Sequence, residues 1–120
     1  MIFKNKGLTS IKNLGFAYNQ ISEIHRTTFK DLKKLTHILF YSNQIEEIPV
    51  GLFKGLESLT HIDFSSNRIN QIDKDLFKDL SEFNLTHIFL SNNQLKQIHR
   101  LTFTNLNKLT HIDLSGNDCI

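Results

Sequence analysis

A nine-residue phrase, Leu-Thr-His-Ile-Leu-Phe-Tyr-Ser-Asn, runs from Leu35 to Asn43 and returns at Leu59 to Asn67, Leu85 to Asn93 and Leu109 to Asn117. A degenerate copy, Ile11 to Asn19, keeps the apolar positions and the Asn but has Asn13 where the others have His. Self-similarity at a period of about 24 residues marks stacked supersecondary units that bury their apolar edges against one another. With 120 residues and 39% hydrophobic content, one closed core would be thinly supplied. A stacked array needs no closed core.

The units run 11–34, 35–58, 59–84 and 85–108, with a partial unit at 109–120, and together form a single domain over 1–120. Leu8 stands where Leu32, Leu56 and Leu106 stand in later units, so it reads as the tail of an earlier one. Each unit opens by alternating apolar and polar residues, as in Ile62-Asp63-Phe64-Ser65, the period of a strand with one buried face. The crossover to the next strand is long enough only for a parallel connection. The Asn ending each phrase suits a tight turn, where its amide bonds local backbone. Phe29, Phe53, Phe77 and Phe103 recur at one offset and are expected to stack behind the sheet as core. Unit 59–84 carries two extra residues, so Ser81 to Asn84 are expected to bulge.

Charge excludes several function classes. Lys plus Arg number 14 against 12 Asp plus Glu, scattered through the loops without the basic stripe that nucleic acid requires. The nearest run, Lys30, Lys33 and Lys34, is interrupted by Asp31 and reads as a solvated face. No apolar run approaches a membrane span, and the opening residues lack the apolar core of a secretion signal, which points to the cytoplasm if the chain is complete as written. A lone Cys119 rules out an internal disulfide and a multi-thiolate zinc site.

The recurring L-x-x-L-x-L-x-x-N resembles the leucine-rich repeat signature, with residues 8 to 120 covered. The 24-residue form with its later Phe-x-x-Leu is similar to the "typical" extracellular subtype of Toll-like receptors, Slit proteins, small leucine-rich proteoglycans and variable lymphocyte receptors. The resemblance implies an α/β leucine-rich repeat solenoid, a horseshoe with short parallel strands on its concave face and irregular or short helical convex segments. It also implies a non-enzymatic, cofactor-free module binding a protein ligand, glycan-bearing in some members, at the cell surface or outside the cell, in roles such as innate immunity or cell adhesion. The alternative is an intracellular scaffold or regulatory subunit. The cysteine-rich caps of the family are missing, and Asn117-Asp118-Cys119 looks like the opening of one. The expectation is a fragment of a longer receptor-like protein, whose uncapped ends favour self-association.

If the fourth and sixth phrase positions point inward, the third, fifth and seventh form the concave face. Those sets are Asn13, Gly15, Ala17; His37, Leu39, Tyr41; His61, Asp63, Ser65; His87, Phe89, Ser91; and His111, Asp113, Ser115. Leu39, Tyr41 and Phe89 are candidate apolar anchors. The four histidines fall in a row at about the 4.8 Å strand spacing. Three readings stand: copying by duplication alone, a pH-sensitive face, or a metal site with Asp63 or Asp113 as an added ligand. His61, Asp63 and Ser65 invite a hydrolase reading. However, Asp lies in the middle, and His and Ser sit about 13 Å apart along a strand on an open sheet. Asn84-Leu85-Thr86 is a sequon, making Asn84 the candidate glycan acceptor if the chain is secreted.

Overall fold

The computed structural model describes residues 9–118. Leu8 and Cys119, on which the earlier unit and the cap opening rest, lie outside the described residues. Strands β1 (Asn13–Gly15), β2 (His37–Leu39), β3 (His61–Asp63), β4 (His87–Phe89) and β5 (His111–Asp113) pair in parallel, in chain order, as one sheet. Equivalent phrase positions pair with one another: His37 with His61, His61 with His87, and His87 with His111. The chain is therefore a parallel-strand solenoid, as the period requires. Its convex side consists of turns, and among the described residues its only helical element is the 3-10 turn Lys78–Leu80.

That turn absorbs the two extra residues of the third unit. It continues into a turn over 81–84, and Phe83 packs back against the core. The convex segments of the first, third and fourth units are started by residues at one recurring offset, which Pro49 occupies in the second. His25 Nδ1 accepts the amide of Thr27, Asp73 Oδ1 that of Asp75, and His99 Nδ1 that of Leu101. Each satisfies a donor that the tightening backbone would otherwise leave open.

Inside the coils, two aromatic columns form. Directly beneath the sheet Phe40 and Phe64 stack at 5.7 Å between ring centroids, and Phe16 meets Phe40 at 5.4 Å with its plane tilted by 58°. Phe53, Phe77 and Phe103 stack further back at 5.8 Å, while Phe29, expected in the same column, meets Phe40 edge-on at 5.7 Å. On the opposite, outward side of the sheet the histidine rings are only 4.2–4.3 Å apart. Narrow spacing in front and wider spacing behind curve the stack, with the histidines on the concave side.

The phrase-ending asparagines do more than close their own turns. Asn67 Nδ2 donates to Phe64 O in its own coil and to Phe40 O in the preceding one, both at 3.0 Å, while its Oδ1 accepts Ile45 N at 3.0 Å. Asn43, Asn93 and Asn117 repeat the pattern. Asn19, in the first described coil, bonds only its own turn, through Phe16 O and Ala17 O. The ladder therefore ties coil to coil through nearly buried amides whose donors and acceptors are matched. One position before each Asn the backbone enters the left-handed region, with φ of 57° at Tyr18, 59° at Ser42, 55° at Ser66, 54° at Asn92 and 71° at Gly116. Only Gly116 meets that turn without a steric cost.

Candidate recognition surface

The sheet's inward residues Leu14, Ile38, Ile62 and Ile88 are buried, and the outward residues of β2, β3 and β4 are half-exposed. His37, Leu39, Tyr41, His61, Asp63, Ser65, His87, Phe89 and Ser91 therefore share one open face, together with the more exposed His111 and Ser115 and with Asp113 between them. No Lys or Arg occupies any phrase position from the third to the eighth in any unit. The cations gather elsewhere: Arg26, Lys30, Lys33 and Lys54 line a groove of about 560 Å³ between the first convex turns.

The histidine row is a stack of rings. Planes of neighbouring imidazoles lie within 7–12° of parallel. Each ring is fixed by the threonine before it, with Nδ1 2.7–2.8 Å from the Oγ1 of Thr36, Thr60, Thr86 or Thr110. The same hydroxyls lie 2.9–3.2 Å from a carbonyl of the preceding coil. That carbonyl is already served. Thr36 O, for example, accepts the amides of Thr60 at 2.9 Å and His61 at 3.0 Å. The Thr60 hydroxyl is therefore free to donate to Nδ1 of a neutral His61, leaving the proton on Nε2, and to rotate to the carbonyl when Nδ1 itself carries a proton. Threonine holds the ring in both states.

Opposition to charging comes from elsewhere. Burial first, then the like charges of His37, His87 and His111, hold His61 below its ordinary value. Asp113 is held below the usual carboxylate range by the Ser115 hydroxyl at 2.7 Å and the Ser115 amide at 3.0 Å. The Ser65 amide bonds Asp63 in the same way, at 2.9 Å.

These bonds separate the residues of the hydrolase reading. The Ser115 hydroxyl donates to Asp113, and the Nδ1 of His111 faces Thr110, so no His-to-Ser pair is assembled on that strand. Parallel rings also send their Nε2 atoms side by side rather than toward one point. No group of three or more His, Cys, Asp or Glu converges on a metal position among the described residues. The bonded Thr-His pair recurs in each copy, as wholesale copying of Leu-Thr-His-Ile would also produce. The recurring Thr-His pair was the sequence signal for this. Sequence reasoning also missed Tyr18, at the eighth position, which is 77% exposed and meets Tyr41 edge-on at 5.4 Å. Asn84 is exposed, and its Oδ1 accepts Lys108 Nζ at 3.1 Å.

Comparison with known proteins bears on this surface. Residues 1–118 match the family model described as "BspA type Leucine rich repeat region", in six copies. No curated protein matches the chain. Among solved structures, a chain of the LRIM1/APL1C complex superposes with a TM-score of 0.83 at 24% identity, over 94% of this chain and 20% of that one. A leucine-rich repeat protein of Leptospira interrogans gives 0.79 at 24% identity, over 94% and 27%. The likeness is one of fold, and this chain spans only about a fifth to a quarter of those proteins. No helix of the described residues is long and apolar enough to cross a membrane.

Proposed function

Because the chain belongs to the BspA-type leucine-rich repeat family, we propose that it is a protein-recognition module that binds its ligand across the concave sheet. The observation that carries this is the division of labour within each phrase. Inward positions are nearly constant and buried, whereas outward positions change from coil to coil through Leu39, Asp63, Phe89 and Asp113 on one rigid sheet. Such a surface has half-exposed aromatic anchors and no enclosed pocket, which suits a macromolecular partner better than a small substrate.

The extracellular or cell-surface reading is supported by the similarity to the 24-residue typical subtype. The intracellular scaffold is the second reading, favoured by the single cysteine. A glycan on the native protein that is lost in Asn84→Gln selects the first, and recovery of the native protein in the cytosolic fraction selects the second. Photo-crosslinking side chains at Leu39 and Phe89, with Val50 on the convex side as the control, test the surface itself. Discrete protein adducts from the two concave positions are expected. Adducts from Val50 alone would overturn the proposal.

A further inference from the structure

The concave face differs in sign from the molecule that carries it. The chain's formal charge is +2, yet the outward columns hold two carboxylates and no Lys or Arg. The register brings those carboxylates into one column with a ring between them, since Asp63 pairs with Phe89 and Phe89 with Asp113. Neighbouring strands are about 4.8 Å apart, so the carboxylates flank the ring at about 10 Å from one another. Phe89 is half-exposed and leans on His87 at 5.8 Å between centroids. An aromatic ring between two ionised carboxylates attracts a cation through the ring quadrupole and through charge together. Resting on the reading of the concave sheet as the binding face, we propose that its partner is a protein segment presenting arginine or lysine. One cationic side chain is seated on Phe89 between Asp63 and Asp113, and the segment is released in acid as the histidine column takes up protons.

Release follows from the layout. The titratable and charged groups near the column are the carboxylates Asp63 and Asp113, two residues along from His61 and His111, with Tyr41 two residues past the end of β2 and Lys12 beside Asn13 in the first coil. With the histidines neutral, the face carries the two carboxylate charges alone. Full protonation adds four positive charges in a stack whose neighbours are 4.2–4.3 Å apart. The Ser115 hydroxyl and amide meanwhile hold the Asp113 carboxyl below the usual carboxylate range. The face then changes sign, and the threonine hydroxyls permit it by turning from Nδ1 to the carbonyl. A cationic segment that was attracted is repelled.

The test uses the full chain with two probes, hexa-arginine and hexa-glutamate peptides, titrated at pH 7.5 and pH 5.0 and mapped by amide NMR. Hexa-arginine is expected to shift residues 61–65, 87–91 and 111–115 at pH 7.5. Its affinity is expected to fall at least tenfold at pH 5.0 and at least fivefold in Asp63→Asn/Asp113→Asn. Asn keeps the Oδ1 that Ser65 and Ser115 bond, so this variant retains the local turn. In His61→Phe/His87→Phe/His111→Phe the ratio of the affinities at pH 7.5 and pH 5.0 is expected to fall toward one, whatever the affinity of the variant at pH 7.5. If affinity is unchanged in Asp63→Asn/Asp113→Asn or at pH 5.0, the proposal is overturned. Hexa-glutamate shifting those same amides at pH 7.5 overturns the cationic class while leaving the concave face as the binding surface. Hexa-arginine acting only on the convex turns near Val50 to Gly55 overturns both.

Discussion

At the scale of single residues, buried polar atoms divide into those with partners and one without. Thr102 Oγ1 is buried and finds no partner among the described residues. Replacing it by a side chain of the same shape removes an unmet hydrogen-bonding group, so Thr102→Val is expected to raise stability by about 1 kcal/mol in urea unfolding. The opposite case is Asn67, whose amide makes three bonds at 3.0 Å between two coils. Asn67→Ala leaves the buried Ile45 amide without its partner, takes one of two amide donors from Phe40 O and Phe64 O, which Asn43 and Asn93 still serve, and is expected to cost about 2 kcal/mol. A cost near that of an exposed Asn→Ala would show that the inter-coil bonds carry nothing. These residues also show what the sequence disclosed. The recurring Asn announced a turn, but a linear pattern cannot say that its amide reaches the preceding coil as well, because that depends on how closely the coils stack.

At the scale of the element, the strand and its histidine form a unit with the threonine before it. His61 is held below its ordinary value, so between that lowered value and the 6.5 of an unfolded chain the unfolded state binds more protons. Stability from this group therefore falls as pH drops through about 6.5, and levels off below the folded value. The urea midpoint is expected to be lower at pH 5.0 than at pH 7.5, and His61→Phe is expected to narrow the gap. An unchanged gap in that variant would remove His61 as the cause. Strand positions and register were legible because the period fixes which residues face one another. The ring stack was legible only as a row, since near-parallel planes require the threonine hydroxyls to fix each ring. Asp63 and Asp113 could be placed on the open face from sequence, but their bonds to Ser65 and Ser115 depend on the bend after each strand.

At the scale of the whole molecule, the solenoid measures 42 × 33 × 19 Å, and its concave strip is small. A stable interface takes about 800 Å² from each partner, and a strip three side chains tall over five strands falls short of that. Monovalent binding by these 120 residues is expected to be weaker than about 1 µM, and a submicromolar affinity by calorimetry would contradict this. At the β5 edge Ile112, an inward position in its strand, is 42% exposed among the described residues. Association of the chain that rises with concentration in sedimentation, and falls in Ile112→Lys, is expected from that edge. The horseshoe was expected from the resemblance, but the ring spacings that accompany the curvature, 4.2–4.3 Å in front and 5.8 Å at the back, depend on how the coils pack.

Histidine itself provides the most direct test of the recognition surface. His37, His61, His87 and His111 lie on the concave face, while His25 and His99 start convex turns, and all six accept carbethoxylation. Labelling the full chain with and without the protein captured at Leu39 and Phe89 reads both faces in one experiment. Protection of the four concave histidines with His25 and His99 unchanged is the predicted result. Protection of His25 or His99, with the concave row still fully labelled, would contradict it.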